Sequence, residues 1–169
     1  MQSVVSYTTR PMREGEMDGV IYHYISEEDF FDKQNNNFFA ETTSYNVAVD
    51  GGQTWYYGSA IKDLTDDKVA IMNPEGLKEI KKIKSLNPVV FYIIADDETI
   101  WNRLRQRGDN SEEARRRLNA DDADFQGIDK YMDFAIRNDG SESPEFIAKL
   151  ILWLYLHKKK YMKMGEITI

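Results

Sequence analysis

The sequence predicts an α/β fold, with a parallel-sheet core and an inserted antiparallel lobe. Three observations predict it. From Lys68 onward, short apolar stretches alternate with amphipathic ones, the order that produces a sheet covered by helices. Val89 to Ala95 (VVFYIIA) is a near-continuous apolar run, as in strands buried on both faces of a parallel sheet. Upstream, FFAETTSYNVAV and QTWYYGS flank Asp50-Gly51-Gly52, a strong hairpin signal.

Taken in order, Ser3 to Tyr7 (SVVSY) is short, β-branched and aromatic, and predicts a strand. Val20 to Ile25 (VIYHYI) predicts another. Ser26 has the chemistry of a helix N-cap, with Glu27, Glu28 and Asp29 placed where the helix dipole favours acids. That helix is expected to end in the run Asn35–Asn37. After the hairpin, Lys68 to Met72 (KVAIM) predicts a buried strand, and Leu77 to Ser85 a helix that Asn87-Pro88 ends. Asp96-Asp97-Glu98 opens a helix running to about Arg107, and a second runs from about Ser111 towards Phe125. Met132 to Ile136 predicts a strand, Asn138-Asp139-Gly140 a turn, and Ser143-Pro144 the start of a helix reaching about Lys158. Val20 to Ser59 is the inserted lobe, 103–125 a helical segment and 159–169 a tail. With no repeat or linker, the whole of 1–169 is expected to be one domain.

Composition narrows the function. The 169 residues carry 22 Lys and Arg against 29 Asp and Glu, a formal charge of −7. Such a chain is poorly suited to nucleic-acid polymers, which are bound through basic surfaces. There is no cysteine, so disulfides, thiolate metal sites and cysteine nucleophiles are excluded. His23 and His157 stand far apart in sequence, against a histidine-built metal site. No signal peptide opens the chain and no apolar run approaches membrane-spanning length, so a cytoplasmic protein without a membrane partner is expected.

Against this acidic background, Ser6 to Tyr22 (SYTTRPMREGEMDGVIY) holds Arg10 and Arg13 around Pro11, followed by a turn with Gly15 and Gly19. Two guanidinium forks, each matching a phosphate's oxygens two at a time, suggest an anion cradle; alone, such a stretch is more often a solvated loop. Glu41, with Tyr57 and Ser59 in WYYGS, forms a second group. A carboxylate complements the adjacent N–H donors of guanine, and hydroxyls can complete the contacts; alone, Glu41 would be a surface glutamate, and Tyr57 is more often core than ligand. Third, Arg103 and Arg107 lie four apart on one helical face, with Arg117 beyond a Gly-Asp turn. Three converging arginines would suit a transferring phosphoryl group, where charge stabilisation matters most; an ordinary solvated helix surface has the same composition.

The sequence of these motifs, S-x-T-T-R-P-x-R-x-G-E-x-D/N-G-x-x-Y, F-x-E, Y-Y-G-S, R-L-x-x-R-G, a later R-L and N-D, resembles the guanylate kinase family from about Ser3 to about Leu152. The resemblance implies a P-loop kinase-like parallel core, a GMP-binding lobe and an arginine-bearing lid, with Mg²⁺-dependent phosphoryl transfer from ATP to GMP. Position by position, it implies that Glu41 and Ser59 read the base. Arg10, Arg13, Tyr22 and Tyr57 would hold the GMP (or dGMP) phosphate, with Ser6 beside them. Arg103, Arg107 and Arg117 would form the catalytic lid clamp, and Asn138 would lie near the ATP base.

Two departures qualify this. Where many members carry acids near the metal and phosphates, this chain has Ile71 and Asn73, with Glu75 as a candidate substitute, so no metal ligand is assigned. The family's first strand and its G-x-x-x-x-G-K-[ST] phosphate loop have no counterpart in these 169 residues. A fragment or late start is the preferred explanation. A degenerate, non-catalytic nucleotide- or protein-binding member is the alternative, and a strand supplied by swapping, a homo-oligomer or a split partner is the third. Met164 to Ile169 (MGEITI) has strand character, though a disordered or surface-packed tail is the simpler expectation.

Overall fold

The computed structural model describes residues 1–47, 52–108, 115, 118 and 123–163. The chain resolves into two compact units, Met1–Pro88 and Val89–Ile169.

In the first unit the predicted strand Ser3–Tyr7 becomes two. Strand β1 (Gln2–Ser3) and strand β2 (Ser6–Thr8) join different sheets, and the chain passes between them at Val4-Val5. Strand β3 (Tyr22–Tyr24) follows the arginine stretch, shorter than predicted because Gly19 turns left-handed at φ 78° and leaves Val20 and Ile21 exposed. Helix α1 (Glu27–Asn35) starts at Ser26, whose Oγ accepts the Asp29 N–H at 3.0 Å. Strands β4 (Phe39–Val47) and β5 (Gln53–Ala60) pair antiparallel, while Asp50 and Gly51 of the predicted turn lie outside the described residues. The sheet runs β3-β2-β5-β4, with β2 and β3 parallel and the other pairs antiparallel. Ser6–Thr8 therefore belongs to the lobe sheet as much as the hairpin does.

Successive strand residues point to opposite faces, so pairing register fixes which side chains share a face. Tyr7 pairs with His23 and Gly58 on one side, and Phe30, Phe31, Phe38, Phe39 and Tyr56 crowd with Tyr7 there in ring contacts of 4.7–6.0 Å. Phe30 of α1 is fully buried and is the centre of this small aromatic core. Gly58 is required by it: a Cβ there would stand 2.9 Å from the Phe39 ring. Gly58→Ala is expected to cost about 1–3 kcal/mol in chemical denaturation as the ring is forced aside; an unchanged midpoint would show that Phe39 relocates freely.

Strand β6 (Lys68–Val69) pairs in parallel with β1, and helix α2 (Pro74–Lys82) follows. The predicted strand Lys68–Met72 stops at Val69. Among the described residues β6 has β1 as its only neighbour, and Ile71 is 99% exposed. Helix α2 starts three residues before the predicted Leu77, because Asn73 caps it and Pro74 occupies the first turn.

In the second unit, β7 (Phe91–Ile94) and β8 (Phe134–Arg137) form a parallel pair, register Phe91 with Phe134. Ile93 is 42% exposed, so this strand is not covered on both faces as VVFYIIA suggested. Helix α3 (Asp97–Arg107) is capped by Asp96, which accepts the Thr99 N–H at 2.7 Å, and ends at left-handed Gly108. Helix α4 (Pro144–Lys163) runs five residues past the predicted Lys158. Asp133 ties the unit together, accepting the Val90 N–H at 2.7 Å and ion-pairing with Lys158 of α4. Most of the predicted helix 111–125, and the stretch Met164–Ile169, lie outside the described residues. No described helix is long and apolar enough to cross a membrane.

Candidate functional site

The face of the lobe sheet opposite the aromatic core carries the polar residues singled out above. Ser6 pairs with Tyr22, Thr8 with Tyr24 and Tyr57, Tyr57 with Thr43, and Ser59 with Glu41. Alternation therefore puts Ser6, Tyr22, Glu41, Tyr57 and Ser59 on one side of one sheet, with Thr8, Tyr24 and Thr43.

At one end, Ser6 and Ser59 hydroxyls lie 3.1 Å apart and Glu41 sits across from Ser59. Burial raises the Glu41 pKa, opposed by hydrogen bonding from the Ser59 side chain and backbone. The start of α2 approaches this carboxylate so closely that a Cβ on Gly76 would be 2.9 Å from Glu41 Oε2. Asn73 holds that approach by accepting the Gly76 N–H at 2.8 Å and donating to Thr43 Oγ1 at 3.1 Å. Thus Asn73, at a position where an acid was looked for, is committed to a helix cap and a strand. Glu75 is exposed.

At the other end lies the arginine stretch. Arg10 is 5% exposed, its backbone N–H bound to Thr8 Oγ1 at 3.1 Å and its guanidinium within 5.5 Å of the centres of the Tyr22 and Tyr24 rings. Nη1 donates to the Pro11 carbonyl at 2.8 Å, and Nη2 to both Glu16 oxygens at 2.8 and 2.9 Å. Glu16 Oε2 also accepts the Arg13 N–H at 2.7 Å and the Tyr24 hydroxyl at 2.7 Å. The Arg10 hydrogen bond, then that of the Arg13 backbone, lowers the Glu16 pKa to about 2. Burial works to lower the Arg10 pKa, but the Glu16 hydrogen bond and charge outweigh it, and the net shift is upward. Tyr57 is raised by burial and held next to Tyr22 at 5.8 Å between ring centres. Arg13 is exposed.

Glu16 and Tyr24, which the sequence pattern does not single out, also lie at this end of the face. The period of two that links Tyr22 to the sheet face also selects Tyr24, whereas in the sequence Glu16 is only part of a turn.

In the second unit, Arg103 and Arg107 are exposed on α3, and Arg103 Nη2 donates to Asn138 Oδ1 at 3.2 Å. Asn138 follows β8, its N–H bound to the Ile94 carbonyl at 2.7 Å. Arg105 and Arg115 lie over the Trp101 ring at 5.6 and 5.9 Å, a separate use of the arginines in this segment. Arg117 lies outside the described residues.

Comparison with known proteins defines the class. A crystal structure of guanylate kinase from Anaplasma phagocytophilum shares this fold, with a TM-score of 0.66 over 92% of this chain and 74% of that one at 22% identity. A family model described as Guanylate kinase matches residues 1–151. The curated guanylate kinase of Desulfotalea psychrophila is 29% identical, over 95% of this chain and 79% of its own length. That of Syntrophus aciditrophicus is 32% identical, over 84% and 68%. The chain belongs to the guanylate kinase family.

Proposed function

We propose that this chain binds GMP or dGMP on the polar face of its lobe sheet and serves phosphoryl transfer from ATP to GMP, giving ADP and GDP. The phosphate loop for ATP would come from outside these 169 residues. The observation that carries the reading is the shared face, on which a half-buried carboxylate, two serines and two tyrosines line up with a buried arginine. Glu41 and Ser59 would accept from and donate to the guanine edge, beside the start of α2. Arg10, Arg13, Tyr22 and Tyr57 would grip the phosphate, with Ser6 beside Ser59 completing the polar row. Arg103, Arg107 and Arg117 of the lid segment 103–125 would neutralise charge on the transferring group, and Asn138 would lie by the ATP base. On this reading both units act as one guanylate kinase-like domain in the cytoplasm.

The family implies Mg²⁺ with ATP. Among the described residues no three His, Cys, Asp or Glu side chains converge as a metal site, and Asn73 is already engaged with Thr43 and Gly76. The described residues do not form a ligand set for the ion.

The test is coupled. Calorimetry with GMP measures binding, and ADP formation from ATP, Mg²⁺ and GMP measures transfer. Binding is expected for the chain alone, and turnover once a phosphate loop is joined to it. Binding without turnover in the joined protein would leave a non-catalytic nucleotide-binding module; no GMP binding would remove the reading altogether.

A further inference from the structure

We propose that Glu16, held by Tyr24, is a positioning residue that presents the Arg10 guanidinium to a nucleotide phosphate. This rests on the GMP-binding reading above and adds two residues to it. A long arginine side chain loses substantial rotamer freedom when it is fixed, so a preorganised one loses less on binding. Arg10 is fixed from several directions. Glu16 spans Nη2 with both oxygens, the Pro11 carbonyl takes Nη1, and the Tyr22 and Tyr24 rings flank the guanidinium.

Glu16 is itself fixed, by the Arg13 N–H and the Tyr24 hydroxyl, both at 2.7 Å. The Arg13 contact draws the two arginines of the stretch into one arrangement, because a single carboxylate binds the side chain of the first and the backbone of the second. The left-handed Gly15 at φ 81° and the Glu16 N–H to Arg13 carbonyl bond at 3.1 Å fold the turn that brings Glu16 back. A carboxylate next to a phosphate site would also repel the phosphate, and a mere competitor for Arg10 would do only that. Glu16 engages one terminal nitrogen and the backbone of Arg13, which holds the fork's plane in place, so orientation is the effect expected to dominate.

The experiment measures GMP and guanosine affinities of the full chain and of Glu16→Gln and Tyr24→Phe. The nucleoside lacks only the phosphate, so a general loss of structure weakens both ligands and a lost phosphate grip weakens one. The expected result for Glu16→Gln is GMP binding weakened about 10- to 100-fold, as for other lost supporting contacts, with guanosine within about twofold. For Tyr24→Phe, which leaves the Arg10–Glu16 pair in place, the expected loss is about three- to tenfold, again for GMP alone. GMP bound equally well or more tightly by Glu16→Gln overturns the inference, as does an equal loss for both ligands. Should Glu16→Gln fail to fold, Tyr24→Phe decides, and unchanged GMP binding by that variant overturns it. A wild-type chain that binds GMP no better than guanosine instead removes the phosphate-site reading, and this inference with it.

Discussion

Arg10→Ala is expected to abolish measurable GMP binding and to lower the unfolding temperature, whereas Arg13→Ala is expected to do only the first. The two arginines look equivalent in sequence, but Arg10 is 5% exposed in an ion pair whose partner Glu16 is 14% exposed, and Arg13 is exposed. Breaking an exposed pair costs roughly 0.5 kcal/mol and breaking a buried one roughly 3–5 kcal/mol. For a pair between these extremes about 2 kcal/mol is expected, or about 4–8 °C in a chain of this size. Arg13→Ala is expected to stay within about 0.5 kcal/mol of the parent. Each substitution is expected to weaken GMP binding at least about 100-fold, as the charge-assisted phosphate contact proposed for it is lost. Calorimetric titration with scanning calorimetry of the same samples tests both halves. Equal thermal stability of Arg10→Ala and wild type would show that the Glu16 pair is energetically idle. Undiminished GMP affinity in Arg13→Ala would remove that residue from the site.

Glu41→Gln is expected to lower the preference for GMP over AMP by about 10- to 100-fold, since a hydrogen bond to a charged group is worth about 1.5–3 kcal/mol. The same substitution is expected to stabilise the protein at neutral pH. Burial raises the Glu41 pKa in the folded state, so the folded chain holds that proton more tightly than the unfolded chain does. The stability this supplies is full below the ordinary carboxylate range and is lost as pH rises through the raised folded value. Glutamine stays neutral throughout, so its melting temperature is expected to exceed wild type at pH 7 and to match it near pH 3. A variant no more stable at pH 7 would mean the carboxylate is not strained by its surroundings. Unaltered base preference would reject its role in recognition.

Much of the candidate site was legible because its polar residues lie in short motifs whose side chains alternate along strands. Glu41, Tyr57 and Ser59 group by residue type alone, and register places them on one face with Ser6 and Tyr22. What local pattern could not reveal depends on partners distant in sequence. Ser3–Tyr7 has uniform β character, and only the competition between β6 and β5 for its two halves divides it at Val4-Val5. KVAIM has the composition of a buried strand, yet the ladder with β1 ends at Val69, and Ile71 is left exposed. By its position Asn73 suggests a lost acid; its role as cap and as tether to Thr43 depends on α2 packing against β4. Arg105 and Arg115 resembled the proposed clamp residues in type but lie against Trp101.

The lobe sheet has a consequence for how this protein tolerates change. Its aromatic core and its polar row are written in alternate letters of the same strands. A substitution at Tyr56 or Tyr57 damages one face and spares the other. Deleting a single residue within β5 would do both at once: every side chain beyond the deletion would swap sides, sending Tyr56 outward and Tyr57 into the packing against α1. In these strands point mutations can alter the packed face or the polar row separately, and frame-preserving deletions of one codon cannot.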